Sequence, residues 1–64
     1  MIIKLKCVDN VDYLGLESDY LTTGKVYDAI MSKDDEVALI DDEGELINDN
    51  LSDAIHAKWE VVSE

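Results

Sequence analysis

The sequence predicts an all-β domain: five short strands forming a small barrel, with a short helical turn before the last strand. Two patterns carry this expectation. Apolar and polar residues alternate with a period of two, the spacing of strands that bury one face, and short polar or glycine-bearing segments of hairpin length separate the alternating stretches. With 47% hydrophobic and 33% charged residues, the chain has an ordinary globular composition and can build a core.

Ile2 to Val8 places Ile3, Leu5 and Cys7 on one face and Lys4 and Lys6 on the other, a half-buried strand with Cys7 as a small core residue. From Lys25 to Met31 the face of Tyr27, Ala29 and Met31 competes with that of Val26, Asp28 and Ile30. The carboxylate of Asp28 directs the second face outward, leaving it semi-exposed. Ser32 to Glu36 is a polar turn, and Val37 to Asp42 resumes the strand, so a hairpin is implied. Asp42-Glu-Gly-Glu45 then offers Gly44 for a positive φ ahead of the apolar pair Leu46-Ile47, which predicts a second tight hairpin.

Asn50 is placed to cap a helical turn through Leu51, Ala54 and Ile55, with Asp53 three residues on and Lys58 near the end. Trp59 to Val62 forms the last strand, with Trp59 and Val61 on one face. The expected core is Ile3, Leu5, Cys7, Tyr27, Ala29, Leu39 and Val61, with Trp59 on the inner face or covering its edge. Val11 to Thr23 fits no regular element. It carries Tyr13, Leu14, Leu16, Tyr20 and Leu21 among acids and Gly15, and is expected to fold back as an irregular hairpin over the open end of the barrel. Whichever of these apolar residues stays exposed is a candidate contact surface. There is no repeat, low-complexity tract or linker, so residues 1–64 are expected to be one domain, the mature protein the whole chain. A domain this small buries only about 60% of its unfolded surface, so self-association is a ready supplement to its stability.

Five lysines and no arginine face 16 acids, for a formal net charge of −11. Such a chain lacks the cations that neutralise phosphates or anionic lipid, which argues against direct nucleic-acid or membrane binding. Nine of the acids (Asp34, Asp35, Glu36, Asp41, Asp42, Glu43, Glu45, Asp49 and Asp53) fall in a base-free stretch. A lone cysteine makes no internal disulfide, and no apolar run reaches the length of a signal peptide core or a membrane span, so the expected compartment is the cytoplasm.

Five strands with a helical turn before the last is the layout of a small SH3-like barrel. The run Leu21-Thr-Thr-Gly-Lys-Val-Tyr-Asp-Ala, the acidic hairpin Leu39-Ile-Asp-Asp-Glu-Gly-Glu and the closing Trp-Glu-Val-Val at 59–62 together resemble a group of short bacteriophage and prophage proteins, mostly of unassigned function. The resemblance covers most of the chain outside Val11 to Tyr20. It implies an SH3-like barrel of phage origin, acting in the cytoplasm of a host. Such proteins often carry an aromatic residue and a proline before the last strand; here Asn50-Leu-Ser-Asp-Ala-Ile-His-Ala stands instead, which implies a longer helical turn.

The residues argue against an enzyme. His56 is the only histidine, and carboxylate pairs arise from composition alone in so acidic a chain. No cofactor is implied. An EF-hand loop fails in both registers: Gly44 as sixth residue puts Asn50 twelfth, and a start at Asp41 puts Leu46 sixth and Ser52 twelfth. Weak, non-EF divalent-cation binding at Asp41, Asp42, Glu43 and Glu45 stays open as an alternative, whereas one cysteine and one histidine do not suit zinc. Proline-rich peptide binding needs an aromatic groove, and four aromatics, two of them core candidates, do not furnish one.

What remains is binding of a protein partner. The expected contact residues are Asp34, Asp35, Glu36, Asp41, Asp42, Glu43, Glu45 and Asp49, with Tyr13, Leu14, Leu16 and Tyr20 of the apolar loop. Rows of negative charge on strands can imitate a phosphate backbone and occupy the basic cleft of a host nucleic-acid-binding protein. Two further readings stand beside this one: the charge serves only to keep the domain soluble, or the domain is a self-assembling structural or regulatory module.

Overall fold

The computed structural model describes residues 1–32 and 35–63, and the chain forms five antiparallel strands in one sheet: β1 (Ile2–Asp9), β2 (Val26–Met31), β3 (Glu36–Ile40), β4 (Leu46–Asn50) and β5 (Lys58–Ser63). The order across the sheet is β4-β3-β2-β1-β5. β1 to β4 form a meander, and β5 returns to the free side of β1. The β1–β5 register shifts between Lys4 and Leu5 and between Cys7 and Asp9, irregularities beside the β5 edge.

Alternation sorts the side chains as the sequence predicts. Ile3, Leu5 and Cys7 of β1, Tyr27 and Ala29 of β2, and Val37 and Leu39 of β3 are buried together, joined by Leu21 and Ala57 from the two long connections. Met31, Ile47 and Trp59 pack half-buried against this cluster, and the Tyr27 and Trp59 rings meet edge to face at 6.0 Å. Each fully buried aliphatic side chain contributes about 1.5–3 kcal/mol over its exposed state, so Ile3, Leu5 and Val37 anchor the fold.

Three expectations are corrected. Strand pairing does not close the sheet into a barrel: β4 and β5 are its edges, linked by the Trp59 indole N–H donating to the Asp49 carboxylate at 2.8 Å. Val61 is exposed rather than core, because β5 is an edge strand that, among the described residues, pairs with β1 alone. No helical turn precedes β5: Asn50 ends β4, and residues 51–57 are a series of bends. Here the backbone groups find partners elsewhere. Ile55 and His56 N–H donate to Asp49, Leu51 N–H donates to the Asp35 carbonyl, and the carbonyls of Ile55 and His56 accept from Tyr13 N–H and the Ser18 hydroxyl. A helix would have to break these bonds to form its own.

The antiparallel order puts the β1–β2 connection, the β3–β4 turn and the start of β5 at one end of the sheet. The tip of the β1–β2 connection folds back from there to Ile55, whose carbonyl accepts from Tyr13 N–H.

Candidate functional site

Two turns share one construction. In residues 41–45 the Asp41 carboxylate accepts from Glu43 N–H and Glu45 N–H, both at 2.9 Å, while Asp41 N–H donates to the Glu45 carbonyl and Gly44 N–H to the Asp41 carbonyl. In residues 12–16 the Asp12 carboxylate accepts from Leu14 N–H at 2.9 Å and Leu16 N–H at 3.0 Å, with the matching backbone bonds Asp12 to Leu16 and Gly15 to Asp12. Gly44 and Gly15 both sit at positive φ, 82° and 85°, where a side chain would be strained. The pattern Asp-x-x-Gly-x therefore builds the same turn twice. It is visible in the sequence as Asp12-Tyr-Leu-Gly-Leu16 and Asp41-Asp-Glu-Gly-Glu45, a repeat that strand periodicity alone passes over.

The first turn tips the expected fold-back, closed by a Val11–Glu17 bridge. It presents Tyr13, Leu14 and Leu16 to solvent, beside Ile55, whose carbonyl receives Tyr13 N–H. Tyr20 lies half-buried with its hydroxyl 2.6 Å from His56 Nδ1, the two rings edge to face. Buried Ser18 donates to the His56 carbonyl at 2.7 Å, and Asn10 Nδ2 donates to the Leu21 carbonyl at 3.1 Å. The connection is thus held at several points, and its tip is a fixed apolar prominence.

The acids part company. Asp41 and Asp49, expected on the binding face, are only 8% and 5% exposed and belong to the architecture. Asp49 accepts four bonds, from the N–H groups of Asn50, Ile55 and His56 and from Trp59 Nε1. Asp42 holds the base of the long connection, accepting from Lys25 Nζ and the Thr22 hydroxyl at 2.6 Å and from the Tyr27 hydroxyl at 2.9 Å. The Lys25 ammonium, then the Thr22 and Tyr27 hydroxyls, lower its pKa from 3.8 to about 2. In return Asp42 raises the pKa of Lys25, whose ammonium also lies 4.9 Å over the Tyr27 ring. Asp35 is held below the usual carboxylate range by the Ser52 hydroxyl and backbone N–H. Asp34 lies outside the described residues. Among the described residues, Glu36, Glu43, Glu45 and Asp53 keep exposed carboxylates with no side-chain hydrogen bond.

Burial raises the pKa of the Cys7 thiol, which leaves it a core group rather than a nucleophile. Among the described residues no three His, Cys, Asp or Glu side chains converge as metal ligands. Compared with known protein families, with curated proteins and with solved structures, the chain matches none.

Proposed function

We propose that this chain is a non-enzymatic accessory protein of a bacteriophage or prophage, with an SH3-like strand order left open at β4 and β5, that binds a host protein in the cytoplasm through the tip of its β1–β2 connection and its acidic surface. One observation carries the binding reading: an aromatic ring and two leucines, Tyr13, Leu14 and Leu16, are held outward on a hydrogen-bonded turn. Exposed apolar groups on a fixed backbone lose little freedom on binding and bury area in return, the property of a contact surface. Glu43 and Glu45, on the twin turn, add negative charge that steers a basic partner. The SH3-like assignment is supported by the strand order β4-β3-β2-β1-β5 and the long β1–β2 connection, and the phage origin by the three sequence runs at 21–29, 39–45 and 59–62. Imitation of nucleic acid, as one mode of this binding, rests on Glu36, Glu43, Glu45 and Asp53.

The test is affinity capture from bacterial lysate with the wild type, a Tyr13→Ser/Leu14→Ser variant and a Glu43→Gln/Glu45→Gln variant. A specific partner is expected on the wild type alone or weakly on the charge variant, and it is lost from the tip variant. Competition by added DNA or RNA identifies mimicry. Identical capture by wild type and tip variant refutes the reading.

A further inference from the structure

We draw no further inference here: the strongest candidate, the apolar surface patch of Ile2, Ile30, Ile40 and Leu46 on the outer face of β1 to β4, is lined by two charges, Lys4 and Asp28, that neutralise each other, and nothing in the structure shows what covers it.

Discussion

Replacing Asp49 with alanine is expected to destabilise the domain more than any other single change of an acid. Asp49 is 5% exposed, and its two oxygens serve four donors. Asn50 and Ile55 lie on exposed residues, so water can reach their N–H groups after the substitution. The His56 N–H and the Trp59 indole N–H lie on half-buried residues, and at about 1–3 kcal/mol for each donor left unmatched the loss is about 2–6 kcal/mol. A domain of this length has roughly 3–10 kcal/mol in total, so a loss near 3 kcal/mol lowers Tm by about 12–24 °C and can unfold the chain. Asp49→Asn keeps one acceptor oxygen and should lose less, about 1–2 kcal/mol. Urea unfolding followed by far-UV circular dichroism and by the emission of Trp59, the only tryptophan, measures both. Loss of the indole bond should also shift the emission of the folded Asp49→Asn protein. An Asp49→Ala protein within 1 kcal/mol of wild type, with native Trp59 emission, would refute the idea that this carboxylate joins the two sheet edges.

Two more outcomes follow from the turns and the ion pair. Asp41→Ala should cost about 1–2 kcal/mol and Asp12→Ala about 1 kcal/mol in urea unfolding, each removing two carboxylate-to-backbone bonds, and Asp12→Ala should also weaken partner capture by loosening the tip. Asp42 has a folded pKa depressed from 3.8 to about 2, so its stabilisation is present above pH 3.8 and lost as pH falls toward 2; Asp42→Asn should flatten that acid limb of the unfolding midpoint, and an unchanged limb would count against the Lys25 pairing.

The strands and most of the core were legible because burial on one face imposes a period of two, and Ile3, Leu5, Cys7, Tyr27, Ala29 and Leu39 keep it. The same rule, carried two residues either way from Leu39, would have placed Val37 and Asp41 inside, but Asp41 reads as a surface acid unless its turn is recognised. Val61 kept the period and was still exposed, since alternation says which way a side chain points and not whether another strand lies beyond it. Asp49 was beyond reach of local pattern. Two of its donors come from residues 55 and 56 and one from the indole at 59, and only the folded chain brings them together. The candidate site divided for the same reason: Tyr13, Leu14 and Leu16 were recoverable as apolar residues in a loop, whereas the side-chain partners that engage Asp35 and Asp42 lie 15 to 20 positions away.

The twin Asp-x-x-Gly-x turns separate what holds a loop from what the loop displays. The aspartate and the glycine set the backbone, so the side chains between and after them are interchangeable as far as the fold is concerned, apart from Asp42 with its own ties. Such a turn acts as a socket, into which one position of this chain has loaded tyrosine and leucine and the other glutamate. Exchanging Tyr13, Leu14 and Leu16 thus alters what the turn displays at little risk to the backbone that carries it.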